Sequence, residues 1–231
     1  MYVIKHNNEY KTFLHMVKTA GISVSNALYN AGYQKHVNLR HIDIKYLPDE
    51  FKNSKKYIIL REPHDWYKSF YSFFINVEGY LSFMLNDPKD DGYIYPISLN
   101  EFIRRSINFK DTLEKFPNKA RVFNNILQTQ GNIHFITTYF DEPVNYKDPK
   151  TLEQFDMSLF EWFWKHTGGD EADIIIPMNK LDKLEDELGI KMPHYNKTKN
   201  KIEEEIDPDV LELIKKTHKR FYDLYEDNQS F

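Results

Sequence analysis

His15-Met16-Val17-Lys18-Thr19-Ala20-Gly21-Ile22-Ser23 joins two kinds of hydrophobic pattern. Leading into it, the segment from Tyr10 to Val17 carries Thr12, Phe13, Leu14, His15, Met16 and Val17 and reads as a mostly buried strand. After it, Val24, Ala27, Leu28 and Ala31 recur at helical spacing, and Gly32 is placed to stop the helix. The stretch therefore predicts a strand, a tight loop of small residues and a helix start. Amide groups at a helix N-terminus attract anions, and Lys18 adds a positive charge. Ala20 and Gly21 let a phosphate approach the backbone, while Thr19 and Ser23 offer hydroxyl donors. The pattern reads as a phosphate cradle. It is not a Walker A loop, which places its glycines before Lys-Ser/Thr. An ordinary strand-to-helix turn with a surface lysine fits the same residues.

Outward from that stretch, the pattern returns once in strong form. Tyr57-Ile58-Ile59-Leu60 is a short apolar run bounded by charge, as in a buried parallel strand. It ends at Arg61-Glu62-Pro63, and a helix follows with Asp65 as candidate N-cap and an apolar face of Trp66, Phe70, Phe73, Phe74 and Val77. Arg61 is held at a sheet edge, where a guanidinium suits fork-like recognition of phosphate, and the Ser69 hydroxyl is near enough along the helix to share the anion. A structural arginine paired with Glu62 or Asp65 is the alternative.

The rest of the chain alternates in the same way. Asp87 to Pro96 reads as a loop. Leu99 to Ile107 and Arg121 to Gln128 read as helices, and Ile133 to Ile136 as a strand. Glu153 to His166 is an aromatic-rich helix closed by Gly168-Gly169, with Trp162 and Trp164 expected in the core. Ile174-Ile175-Ile176 is a short strand, Lys180 to Leu188 a helix stopped by Gly189, and Asp207-Pro208 the start of one long final helix. That helix has a buried stripe of Leu211, Ile214, His218, Phe221 and Tyr225. Strands alternating with helices predict an α/β fold with a mostly parallel sheet, as one domain over residues 1–231. Ligands of such sheets bind at the carboxyl ends of the strands, where both Lys18 and Arg61 fall.

Composition narrows the function classes. The 231 residues carry a net charge of −4, without the basic excess of a protein that coats nucleic acid. There is no cysteine, which excludes disulfides, thiolate chemistry and cysteine-based zinc sites. The nine histidines show no His-x-x-x-His spacing, and Glu203-Glu204-Glu205 reads as a solvated patch. The N-terminal residues are too polar for a signal peptide, and no apolar run approaches the ~20 residues of a membrane span. The expectation is a soluble, cytoplasmic protein.

Together, the two motifs and their order resemble the sulfotransferases that use 3′-phosphoadenosine 5′-phosphosulfate (PAPS). Residues 15–23 resemble that family's loop for the 5′-phosphosulfate. Arg61-Glu62-Pro63 with Ser69 and Tyr71 resembles its 3′-phosphate site. Pro193-His194-Tyr195-Asn196-Lys197-Thr198-Lys199 is similar to the basic loop that closes over the nucleotide in carbohydrate sulfotransferases, and Phe221-Tyr222-Asp223-Leu224-Tyr225 to the end of their last helix. The likeness covers nearly the whole chain and is weakest from Gly79 to Asp170. Val17 departs from the usual Pro, and Ile22 from the usual Thr, which removes one donor.

The resemblance implies a three-layer sandwich of the phosphate-loop nucleotide-hydrolase type. Lys18 would contact the oxygen bridging sulfur and phosphorus. Thr19, Ala20, Gly21, Ile22 and Ser23 would hold the 5′ side, Arg61 and Ser69 the 3′-phosphate, and Asn196, Lys197, Thr198 and Lys199 would close over the nucleotide. PAPS would be the donor and no metal would be needed. The acceptor would be a small-molecule or glycan hydroxyl, with no nucleic-acid partner. His41 is the candidate general base, since a catalytic histidine sits at nearly this place in the uronyl 2-O-sulfotransferase branch. His36, His64 and Glu62 are the rivals. Two other classes stay open: a kinase or NTPase with a variant loop, which should present an Asp for Mg²⁺ where this chain has Arg61, and a sulfotransferase-like binding module without turnover.

Overall fold

The computed structural model describes residues 1–6, 8–33, 35–38, 44–76, 87–88, 94–95, 97–115, 152–153, 155–192 and 203–229. The predicted helix at 121–128 and the predicted strand at 133–136 lie outside the described residues. The chain is α/β and divides into two compact units, each built from separated segments: Met1–Glu62, Phe163–Lys199 and Lys219–Phe231 form the first, Pro63–Trp162 and Asn200–His218 the second.

Among the described residues, the first unit is built on a five-stranded sheet. β1 (Tyr2–His6) and β2 (Glu9–Leu14) form an antiparallel hairpin, with His6 opposite Glu9 and Asn8 left-handed at the turn. β3 (Lys35–Asn38) pairs antiparallel with β1 on the outer side. β4 (Lys55–Leu60) runs parallel to β2, and a further strand, Ile174–Pro177, runs parallel to β4. The predicted mostly parallel sheet is thus mixed, with two parallel and two antiparallel pairings. Of the hairpin the sequence predicts only β2, because Tyr2-Val3-Ile4 is too short an apolar run to stand out ahead of polar residues. β2 also stops at Leu14, earlier than predicted: His15, Met16 and Val17 are buried but belong to the loop.

Both faces of this sheet are buried. Tyr2, Ile4, Phe13, Tyr57, Ile59 and Ile176 pack with Val24, Ala27 and Leu28 of α1 (Gly21–Asn30), and with Leu184 and Leu188 of a helix at Leu181–Leu188. The alternate residues Val3, Leu14, Ile58 and Leu60 are equally excluded from water. That two-sided burial explains the near-continuous apolar runs in the sequence. α1 ends as predicted: Gly32 is left-handed, and the Tyr33 amide donates back to Leu28 O at 3.1 Å.

In the second unit, α2 (Pro63–Asn76) begins at Pro63 rather than at an Asp65 cap. Proline suits the first helical position because its missing N–H needs no partner there. The buried stripe of α2 is Trp66, Tyr67, Phe70 and Tyr71, whereas Phe73 is 40% exposed. Within 87–96, two-residue strands β5 (Asp87–Pro88) and β6 (Ile94–Tyr95) pair. α3 (Leu99–Ile107) falls where predicted, and α4 (Phe109–Lys115) follows.

α5 (Leu159–Thr167) starts later than predicted, at a capping box: Ser158 Oγ accepts from the Glu161 amide at 3.1 Å, and Glu161 Oε2 accepts from the Ser158 amide at 3.0 Å. β7 is the Ile174–Pro177 strand and α6 the Leu181–Leu188 helix, which ends at left-handed Gly189. The predicted single final helix is two: α7 (Pro208–Thr217) and α8 (Lys219–Asp227), broken at His218. Neither proline nor glycine stands at that break, so the sequence carries no sign of it.

Candidate functional site

Parallel pairing decides where the candidate residues meet. Leu14 of β2 is in register with Ile58 of β4, so both strands end at one edge of the sheet, and the chain leaves them as His15–Ala20 and as Arg61-Glu62. Arg61 Nη1 donates to Lys18 O over 3.5 Å. The two candidate cations, 43 residues apart, are therefore brought together.

The loop between β2 and α1 has an unusual backbone. Lys18 (φ 63°) and Ala20 (φ 58°) are both left-handed, while Thr19 between them is not. A left-handed conformation costs an ordinary residue roughly 1–2 kcal/mol. Two in three residues is strain of the kind found at ligand sites, and alternating handedness turns successive N–H groups toward one point. Ala20 is the N-cap of α1 but has no side chain to accept from the first turn, and no acidic residue lies in that turn. The helix therefore presents its amides without a side-chain cap from that position or an acidic residue in its first turn.

The side chains divide their roles. Thr19, expected to donate its hydroxyl to a phosphate, is fully buried and donates instead to Met16 O at 2.8 Å, closing the loop on itself. Ser23 is buried, Gly21 is buried, Ala20 is half-buried, and Ile22 is 49% exposed on the first turn. Burial, and then the nearby Arg61 guanidinium, hold the Lys18 ammonium below its usual pKa. A partly desolvated lysine beside an arginine is a repulsive arrangement that an anion relieves.

The remaining candidates are less constrained. Ser69 lies half-buried in the second turn of α2, in the second unit. His64 is half-buried at the start of the same helix, and Glu62 is half-buried between β4 and α2. His36 sits on β3. His41, Asn196, Lys197, Thr198 and Lys199 lie outside the described residues. Among the described residues no group of three or more His, Asp or Glu is placed to hold a metal ion, and no helix is long and apolar enough to cross a membrane. A cavity of about 540 Å³ opens along β7, lined by residues that include Asp173, Lys183 and Glu187, but neither Lys18 nor Arg61 lines it.

Two residues that pattern reading passes over have structural roles here. Glu204, read as part of a solvated patch, accepts the Leu99 amide at 2.8 Å and the Tyr71 hydroxyl at 3.4 Å. His15 lies beneath the loop, its ring against Gly21. No family model, curated protein or solved structure matches this chain.

Proposed function

We propose that the protein is a sulfotransferase that moves the sulfuryl group of PAPS to a hydroxyl acceptor, a carbohydrate hydroxyl first among them, on a three-layer sandwich fold of the phosphate-loop type. The observation that carries this reading is the convergence of Lys18 and Arg61 beside a left-handed loop at the carboxyl ends of two adjacent parallel strands. Sulfuryl transfer asks a protein for alignment and for neutralisation of a leaving phosphate, which a desolvated lysine and preorganised amides supply.

In the proposed reaction the acceptor oxygen attacks sulfur and a new S–O bond forms. The bond from sulfur to the bridging phosphate oxygen breaks, and 3′-phosphoadenosine 5′-phosphate (PAP) leaves. Lys18 stabilises the charge growing on that oxygen. The amides of Thr19 to Ser23 hold the 5′-phosphate, and Arg61 holds the 3′-phosphate. The acceptor proton passes to a general base, for which His41 is the candidate. Asn196, Lys197, Thr198 and Lys199 are the proposed closing residues.

Thermal shift with PAP, ADP and ATP tests the cofactor. A ligand at about 100 times its dissociation constant adds ~2.7 kcal/mol to stability. PAP should stabilise the protein while ADP does so weakly, and Arg61→Ala should abolish the difference. Equal or better stabilisation by ATP with Mg²⁺ would transfer the site to the kinase class. Binding of PAP without turnover on any hydroxyl acceptor would leave a binding module.

A further inference from the structure

The strained loop is held from the core side by a residue that the proposed chemistry does not use. His15 follows β2 directly and is 2% exposed. One face of its ring stacks on Tyr2, with centroids 5.8 Å apart and planes 23° apart, and Phe13 lies 6.3 Å away. The ring also lies against Gly21, the first residue of α1. A Cβ added at Gly21 would fall 1.7 Å from Nε2 and 1.8 Å from Cδ2 of His15. Gly21 does not have a left-handed φ. The demand for glycine there comes from the imidazole occupying the space and not from the backbone.

We propose that His15 is a positioning residue of the phosphate loop: its imidazole sets the seat of the first turn of α1, and so the aim of the amides that would receive the anion. The inference rests on the phosphate-binding reading of this loop. Left-handed Lys18 and Ala20 persist only where the surroundings hold them. Thr19 Oγ1 ties the loop to Met16 O, and Arg61 ties down Lys18 O. Neither of those bonds reaches the point where loop becomes helix. The His15 ring does, backed by Tyr2 and wedged under Gly21. Without the ring a hollow opens beneath Gly21, and the amides lose the preorganisation that makes them effective against a charge.

The test is a double-mutant cycle of His15→Ala and Gly21→Ala, with affinity for pyrophosphate and for PAP measured by calorimetry and the fold checked by circular dichroism. Each single variant should weaken both ligands by about tenfold or more. In His15→Ala/Gly21→Ala the new methyl occupies the hollow, so affinity should recover relative to either single change. With turnover, the KM for the donor should rise more than kcat falls. Should Gly21→Ala fail to fold, His15→Phe decides the matter. A flat ring in the same place should keep affinity near wild type, and a loss equal to that of His15→Ala would overturn the proposal. His15→Ala binding like wild type, or losses that simply add, would also overturn it while leaving the cofactor reading intact. Wild type that binds pyrophosphate but not PAP would remove the PAPS reading and leave the loop to be judged on pyrophosphate. Wild type that binds neither would remove the phosphate site and the role of His15 with it.

Discussion

Lys18 combines two costs that a protein optimised for stability alone would not keep. Its backbone is left-handed, and its ammonium is partly desolvated next to Arg61. Glycine relieves the first, by roughly 1–2 kcal/mol, against about 0.5–1 kcal/mol of extra chain entropy lost on folding. Removal of the ammonium relieves the second. Lys18→Gly should therefore raise the free energy of unfolding by about 1 kcal/mol while removing turnover and weakening PAP, a trade-off expected where strain serves function. Denaturant titration beside a transfer assay checks it. A variant less stable than wild type would mean that the loop is not strained at this position. The meeting of Lys18 and Arg61 at one end of the sheet was legible because cationic residues stood just past apolar runs, next to small residues. The strain was not legible, since a left-handed lysine looks like any other lysine in a sequence. His15 was not legible as a support either: its partner, Gly21, is explained well enough by phosphate access until the ring is seen filling the space.

At the scale of the element, the start of α3 shows how a polar run can be structural. Ser98 caps the Glu101 amide at 3.2 Å, and Glu204 takes the Leu99 amide. Asn100 accepts the Asp207 amide at 3.0 Å and donates to Glu205 O at 3.3 Å. The segment before α7 is thus stitched onto the first turn of α3. Tyr71 of α2 joins the same network, donating to Ile97 O at 2.7 Å. Burial and the Glu204 carboxylate push its hydroxyl up to about 12. Glu204→Ala leaves the helix-start amide of Leu99 short of an acceptor, while the Tyr71 hydroxyl keeps Ile97 O, and should cost about 1–2 kcal/mol. Tyr71→Phe should cost about 1 kcal/mol, and the pair should cost less than the sum because they share a bond. Urea midpoints of the three variants decide this, and wild-type stability in Glu204→Ala would return the residue to the solvated patch its composition suggests. No local pattern reveals this role, because the partners come from a distant part of the chain. Helices with sustained periodicity (α1, α3, α6) were legible for the opposite reason, since each buries a face that its own spacing declares, and β4 and β7 were legible as short continuous apolar runs. Lys35-His36-Val37-Asn38 offers no such face, and β3 escaped notice.

At the scale of the whole molecule, one contribution to the response to acid comes from a histidine where the chain passes from one compact unit to the other. His218 is fully buried, accepts or donates a 3.0 Å hydrogen bond with the Tyr67 hydroxyl, and lies 5.2 Å from the Phe160 ring. Burial lowers its pKa to about 3. In the unfolded chain a histidine protonates near 6.5. Above pH 6.5 both states are neutral and the residue adds no pH dependence. Below it the unfolded chain takes up a proton that the folded protein refuses, so stability falls as pH drops from about 6.5 toward 3. The slope from this one group approaches 1.4 kcal/mol per pH unit. Carboxylates mostly titrate lower, and the His218 share of the loss between pH 6.5 and 5, about 2 kcal/mol, is read as the difference between wild type and a variant that cannot be protonated there. His218→Gln keeps a partner for Tyr67 and cannot be protonated in this range. It should start less stable at pH 7 because its shape fits the aromatic site poorly, yet lose that much less between pH 6.5 and 5. Parallel pH profiles for wild type and His218→Gln would show that His218 is protonated in the folded protein, and that the Tyr67–Phe160 site is wetter than its packing implies.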